Sequence, residues 1–321
     1  FELKRAKGMD ILIKTVKVQT NSIVFEGGGA VSYLGTDNAE VTMNINTGGF
    51  SLKEIQSTLQ FFGVSLTKTP LQAIDIDQLL LKTKFPLNSL SKLEVLKKKM
   101  NGHIDLKTRN AIMKEGYAIE TLIGEGNWEN GVLTHNFSGT ALGSDFMLNG
   151  KLPFSSLDKD SISRVEWKNL DINKIPFEKD MAWSPSQGKL SGKLSITGPF
   201  EKSQLKGSVE FQVEDLILKS TNETPSIEMR KLTGHGDFGQ GQLQHEIHGN
   251  VWGSEFDIKG KVGVDTENPL LNTKINWTGL DVRQLPPGEG WHPTEGKLSG
   301  VLNLVGPLPA EGEKFPGKLE V

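Results

Sequence analysis

Apolar and polar residues alternate along much of this chain, and a period of two is typical of β-strands with one apolar and one polar face. The alternation is regular over residues 145–154, 190–197, 208–213 and 255–264. Gly, Asn and Pro separate these runs, which indicates short connections between neighbouring strands. The pattern therefore predicts a mainly β protein of antiparallel strands joined in hairpins.

The sequence also repeats itself at a spacing of 110 residues. Residues 124–176 share glycines, a histidine, a tryptophan and an aspartate with residues 234–286, and the match continues with a two-residue adjustment from Trp183 and Trp291 onwards. Residues 74–106 resemble both copies more weakly. Long repeats form elongated stacks, because each copy packs on its neighbours. The predicted units are residues 1–117, a diverged β unit, and residues 118–227 and 228–321, two β repeats of which the second is cut short.

Two segments of the first unit have helical spacing. Leu90, Leu93 and Leu96 recur at three-residue intervals within residues 87–100, and residues 51–62 are a second candidate. Short helices at these places would cover an end or an edge of the sheet.

The apolar faces of the repeated strands must be covered by a second sheet or by the curling of one sheet into a groove. Glycines recur on the apolar face, for example Gly150 and Gly260. A packed core favours bulky residues there, whereas glycine permits curvature or the close approach of another chain. We therefore expect an elongated, repeated antiparallel sheet curled into an apolar groove, with a sandwich as the alternative.

Composition removes several classes of function. Lys and Arg together number 36 against 39 Asp and Glu, and the net charge of −3 offers no basic surface for nucleic acid. Cysteine is absent, which excludes disulfides and thiolate chemistry. No apolar run has membrane-spanning length. Since the chain opens and closes within strand-like sequence, we expect a segment of a longer protein whose anchor lies elsewhere.

A recurring module carries a resemblance to a known family. Leu170–Ile172, a linker with Trp and Pro, Gly188–Gly192, an alternating strand and Gly198-Pro199 recur between Leu280 and Pro307. This module resembles the AsmA-like and TamB superfamily of envelope proteins of diderm bacteria. The resemblance implies a U-shaped β-groove in the periplasm, an anchor in the inner membrane and similarity to bridge-like lipid transfer proteins. It also implies phospholipid acyl chains as the ligand and an outer-membrane protein as a candidate partner.

A groove of this kind needs an inward row of aliphatic and aromatic side chains, because each acyl CH₂ left in water costs about 0.8 kcal/mol. The core of an ordinary sandwich would contain the same residue types. The predicted lining residues are Phe146, Leu148, Leu152, Leu194, Ile196, Phe211, Phe256, Ile258, Leu302 and Leu304.

The histidines and glycines do not predict a cofactor or metal site. Residues 234–239 fit the G-x-G-x-x-G spacing, but strand-like sequence follows them, so we expect a turn. Of His235, His245 and His248, only His245 has a counterpart in the other copy, His135. We therefore expect structural histidines, no metal and no cofactor.

Catalysis is not predicted either. Asp171 and Asp281 are equivalent, but each belongs to a separate unit and adjoins a predicted turn, where capping explains a carboxylate. The repeated tryptophans suit packing between repeats, and lipid contact is the alternative.

These expectations combine into two hypotheses of different classes. The first is a non-enzymatic periplasmic segment that shields acyl chains during phospholipid transport between the inner and outer membranes. The second is a structural scaffold that assists outer-membrane protein assembly by strand addition. A hydrolytic β-sandwich is a third class, and no acid pair supports it.

Overall fold

The computed structural model describes residues 9–19, 23–54, 56, 71–91, 93–113, 117–153, 161–175, 183–199, 204–220, 226–263, 269–284, 294–307 and 318–320. These residues are mainly β, and the strands pair in antiparallel fashion, as the alternation predicted. Compactness divides the chain into two units, residues 1–163 and 164–321. The boundary lies inside the predicted repeat 118–227, because spatial compactness and sequence repetition are different criteria.

Unit 1 is an antiparallel ladder that follows chain order, except that β3 and β4 both pair with β5. Loop and hairpin connections between sequential neighbours produce this order. The strands are β1 (Met9–Gln19), β2 (Val24–Leu34), β3 (Glu40–Thr47), β4 (Phe50–Ser51), β5 (Leu71–Pro86), β6 (Asn101–Met113), β7 (Ala118–Glu129), β8 (Val132–Ala141) and β9 (Ser144–Pro153).

Unit 2 has the same antiparallel order, and β10 begins in the last residues of unit 1. From β11 onwards each strand pairs with the next along the chain. The strands are β10 (Ser161–Asp171), β11 (Trp183–Gly198), β12 (Lys206–Ser220), β13 (Ile227–Gly239), β14 (Gln242–Val251), β15 (Ser254–Gly263), β16 (Leu270–Asp281), β17 (Lys297–Pro307) and β18 (Lys318–Glu320).

Among the residues that the structure describes, helical structure is confined to short pieces. In the predicted range 87–100, a 3-10 helix occupies Leu87–Ser89 and an α-helix occupies Leu93–Lys99. In the predicted range 51–62, residues 52–54 and 56 are helical, Ser51 belongs to β4, and the other positions lie outside the described residues. Further 3-10 helices follow β10 and β16, at Ile172–Lys174 and Val282–Gln284.

These 3-10 helices correct the register of the weaker first copy. The sequence similarity aligned residues 74–79 with residues 170–175 at the end of β10, but residues 74–79 lie inside β5. A strand followed by a 3-10 helix recurs instead at Leu87–Ser89, Ile172–Lys174 and Val282–Gln284. The equivalent point of the first copy is therefore the end of β5.

The alternation places apolar side chains on one face of each ladder and charged side chains on the other. We call these the apolar face and the polar face. On the apolar face, aromatic rings lie over glycines of the adjacent strand: the ring of Phe211 occupies the place that a Cβ of Gly234 would take, and Trp277 does the same at Gly300. Glycine is needed here because a side chain would collide with the ring.

Few apolar side chains are fully buried. In unit 2, a small buried cluster consists of Ile172, in the 3-10 helix that follows β10, and of Val213 and Leu216 on β12. In unit 1, Phe50, Leu52 and Phe85 are buried where β3 and β4 meet β5. Most of the other described side chains of each apolar face are only half-buried, which differs from a close-packed sandwich core.

Residues 234–239 do not form the predicted turn. They are the last residues of β13, and the turn lies at Gln240-Gly241. The glycines mislead a local prediction, because Gly234 is required by the ring of Phe211 on the neighbouring strand and not by chain reversal.

Candidate functional site

The apolar face of unit 2 is continuous across its strands, because the cross-strand register places apolar residues opposite one another. The paired residues form rows that cross the strands. In several of these rows bulky residues and glycines alternate, so that large side chains of one strand lie beside small residues of the next. One row consists of Gly192, Phe211, Gly234, Ile247, Ile258, Ile275 and Leu302.

Each predicted lining residue lies on this face or on the equivalent face of unit 1. Leu148 pairs with Phe137 and Leu152 with Leu133 in unit 1. All of the predicted lining residues are half-buried. The predicted residues are distributed over β9, β11, β12, β15 and β17, so they share a face and do not converge on one point.

Unit 1 has an apolar cavity of about 470 Å³ on the apolar side of β1, β2 and β3. Its walls include Val16, Phe25 and Met43 together with Gly27 and Gly29. The volume falls in the range of sites for small molecules, which is about 300–1,000 Å³. Sequence reasoning missed this cavity, although the alternation of apolar residues and glycines in β2 was visible.

A histidine lies on each apolar face at the equivalent repeat position. His135 is buried and lies between Gly126 and Gly150 on the adjacent strands. His245 lies between Gly236 and Gly260, and its Nε2 is 3.2 Å from Thr273 Oγ1. Burial lowers the pKa of both histidines. Both rings are therefore neutral groups within an apolar surface.

The described tryptophans of the apolar faces pack within their own units. Trp167 and Trp277 occupy equivalent positions and lie over Gly192 and Gly300 on the following strands. The Nε1 atoms of both are buried, and neither has a hydrogen-bond partner among the described residues. Trp291 lies outside the described residues.

The polar face of unit 2 is covered by cross-strand ion pairs. Lys193 Nζ lies 2.9 Å from Glu210 Oε2. Glu246 accepts a hydrogen bond from Lys259 Nζ, and its Oε1 lies 3.1 Å from His248 Nε2. Lys259 lowers the pKa of Glu246 through this hydrogen bond. His235 and His248 lie on this polar face, opposite to His245, so the three histidines do not come together.

The equivalent aspartates have different partners. Asp281 accepts hydrogen bonds from the side chain and the backbone N–H of Arg283, which lower its pKa to about 2. Asp171 lies 3.3 Å from Lys189 Nζ and makes no capping hydrogen bond to its 3-10 helix. Asp281 therefore caps the 3-10 helix that follows it, whereas Asp171 makes no such hydrogen bond and forms an ion pair with Lys189.

A cluster of potential metal ligands that sequence reasoning missed lies on the polar face of unit 1. The ligand atoms of His103, Asp105 and Glu125 all lie within 4.8 Å of one another. The local signal was His-x-Asp on one strand, but the facing Glu125 depends on the register of β6 with β7.

Comparisons of the chain with protein-family models, curated protein sequences and solved structures find no match. In the described part of the chain, no helix combines the length and the apolar character needed to cross a membrane.

Proposed function

We propose that the apolar faces of this protein line a groove that shields phospholipid acyl chains, and that the chain is a non-enzymatic, periplasmic segment of an AsmA-like or TamB-like protein. In this proposal the full-length protein is anchored in the inner membrane and carries phospholipid toward the outer membrane. The membrane location and the direction come from the resemblance of the repeated module.

The observation that carries the proposal is the half-exposure of a continuous apolar face. Phe256, Ile258 and Leu302 lie in rows that cross unit 2, and each retains contact with solvent. A sandwich core would bury these side chains fully. A sheet that leaves so many apolar side chains half-exposed has an apolar surface available for a ligand.

Energetics favour an acyl chain as that ligand. Transfer of each CH₂ from water to an apolar surface gains about 0.8 kcal/mol, so a chain lying along the rows gains affinity without specific contacts. Charged side chains stay on the opposite face, for example Lys193 and Glu210, and would not contact the chain. Such binding requires no catalytic residue.

The test is native mass spectrometry of the protein purified from a diderm host, followed by extraction and identification of bound lipid. The wild type should carry phospholipid. The double variant Leu194→Asp with Leu304→Asp places two charges on the apolar face of unit 2 and should reduce the lipid bound to that unit at least about tenfold, because burial of an unpaired charge is costly.

The matched control is Ser195→Asp with Asn303→Asp. These neighbours lie on the same two strands, β11 and β17, but on the polar face. The control should retain the wild-type amount of lipid. Retention of the full wild-type amount of lipid by a folded Leu194→Asp, Leu304→Asp variant would contradict the proposal, as would a wild type that carries none.

One observation favours the scaffold hypothesis as a second candidate. β1 is exposed along almost its whole length, and Leu12 and Val18 are 62% and 48% exposed. Exposed apolar strands at sheet edges are templates for strand addition. Photocrosslinking from position 12 in cells distinguishes the candidates: a specific crosslink to an outer-membrane protein supports the scaffold, and its absence opposes it.

A further inference from the structure

The polar face of unit 1 contains two carboxylates that face each other across adjacent strands. Asp105 on β6 is directly opposite Glu125 on β7. Like charges at such positions destabilise a sheet. Elsewhere the chain pairs acids with lysines at directly opposed positions, as in Lys193 with Glu210 and Glu246 with Lys259. Asp105 and Glu125 are instead two carboxylates at directly opposed positions, in contrast to these acid–lysine pairs.

Among the described residues, no lysine or arginine forms an ion pair with either carboxylate, and the ion pair of Asp105 is with His103. His103 is two residues before Asp105 on the same face of β6. Its Nε2 lies 2.9 Å from Asp105 Oδ1. A nitrogen and two carboxylates thus point to the same small volume.

Asn127 orients the imidazole. His103 Nδ1 lies 2.7 Å from the side-chain oxygen of Asn127, which is directly opposite on β7. Because the amide oxygen of Asn127 and the carboxylate of Asp105 can only accept, both ring nitrogens carry a proton in the metal-free protein, and a cation bound at Nε2 takes the place of that proton. Histidines that ligate metals are commonly held in this way by an acceptor on their other nitrogen.

We propose that His103, Asp105 and Glu125 bind a divalent first-row transition cation, represented by Zn²⁺, with Asn127 as the residue that positions His103. Zinc is commonly bound by imidazole and carboxylate ligands in proteins. Around a tetrahedral Zn²⁺ ion the ligating atoms lie about 3.3 Å from one another. The cation neutralises the two facing carboxylates and cross-links β6 with β7. This site is on the polar face and is independent of lipid binding.

The experiment is isothermal titration of ZnCl₂ into the metal-free, tag-free full chain near neutral pH. We expect saturable binding of about one Zn²⁺ per chain. His103→Ala and Glu125→Gln should each weaken it at least about tenfold, and Asn127→Ala by about 10–100-fold, as for positioning residues of other metal sites. Circular dichroism checks that each variant is folded.

His235→Ala is the matched control. His235 belongs to the same His-x-Asp pattern, with Nε2 2.8 Å from Asp237 Oδ2, but its cross-strand neighbour Glu246 is bound by Lys259. This variant should bind Zn²⁺ like the wild type. The proposal is overturned if the wild type shows no saturable binding, or if binding persists in folded His103→Ala and Glu125→Gln.

Discussion

At the scale of single residues, the two apolar-face histidines are the clearest departure from the apolar pattern. His135 and His245 occupy the same repeat position, and each is paired with a glycine on both neighbouring strands. The pKa of each is lowered by burial. Because the folded protein holds them neutral, protonation favours the unfolded chain.

This coupling predicts a pH dependence of stability. A histidine with a depressed pKa contributes stability that is present above its unfolded pKa of about 6.5 and is lost as the pH falls through its folded pKa. Urea unfolding between about pH 7.5 and 5.5 should therefore show a smaller loss of stability on acidification in His135→Gln with His245→Gln than in the wild type.

His103 provides the control for this measurement, because its effect on stability should depend on pH in the opposite direction. Hydrogen bonding to Asn127, followed by the charge of Asp105, raises the pKa of His103, while burial opposes the shift. Its stabilising contribution is present below about pH 6.5 and is lost as the pH rises, so His103→Gln, measured without metal, should steepen the loss on acidification. Equal pH profiles for the wild type and the double variant would contradict the assignment.

At the scale of elements, four hairpins share one turn. Each connecting pair has positive φ at both residues, and its second residue is glycine. Turns of this kind match the twist of the flanking strands, and they favour Asn-Gly. Leucine and tryptophan are poorly suited to a left-handed conformation. The pairs are Asn130-Gly131, Leu142-Gly143, Gln240-Gly241 and Trp252-Gly253.

Leu142→Asn should therefore stabilise the protein. Asparagine adopts the left-handed region at lower cost, and the gain should be about 1 kcal/mol in the free energy of unfolding, measured by urea denaturation. The reverse exchange at the equivalent position of the preceding hairpin, Asn130→Leu, should destabilise by a similar amount. A lower stability of Leu142→Asn would show that the contacts of the Leu142 side chain outweigh its backbone strain.

At the scale of the whole molecule, each unit has its own apolar face. The proposed lipid binding should therefore be divided between the units. Leu148→Asp with Leu152→Asp changes unit 1, and Leu194→Asp with Leu304→Asp changes unit 2. If the faces bind independently, each pair should lower the co-purified phospholipid to about half, and all four changes together should remove it.

Mass spectrometry of extracted lipid measures this division. Met147→Asp, on the polar face of β9 and already half-exposed, should leave the amount unchanged. Loss of all lipid from either pair alone would indicate one shared binding surface and contradict two independent faces. The predicted repeats at residues 118–227 and 228–321 would then be repeats of sequence that do not correspond to separate lipid-binding surfaces.

The sequence by itself determined the strands and the residues on each face. Side-chain alternation is a property of the extended backbone, so Phe256 and Ile258 could be assigned to one face without knowledge of any partner strand. The repeat spacing likewise identified the equivalent histidines. By contrast, the alignment of residues 74–79 with residues 170–175 and the turn predicted at residues 234–239 were wrong, because short similarities and glycines are ambiguous without knowledge of the neighbouring strands.

Only the tertiary structure decided the register between strands and the exposure of the faces. Register determines that Glu125 lies opposite Asp105, that Asn127 holds His103, and that the ring of Phe211 requires Gly234. It depends on hydrogen bonds between residues far apart in the chain, which no local pattern encodes. Exposure depends on what covers each face, and the half-buried apolar rows are a consequence of how the strands assemble and not of their alternation.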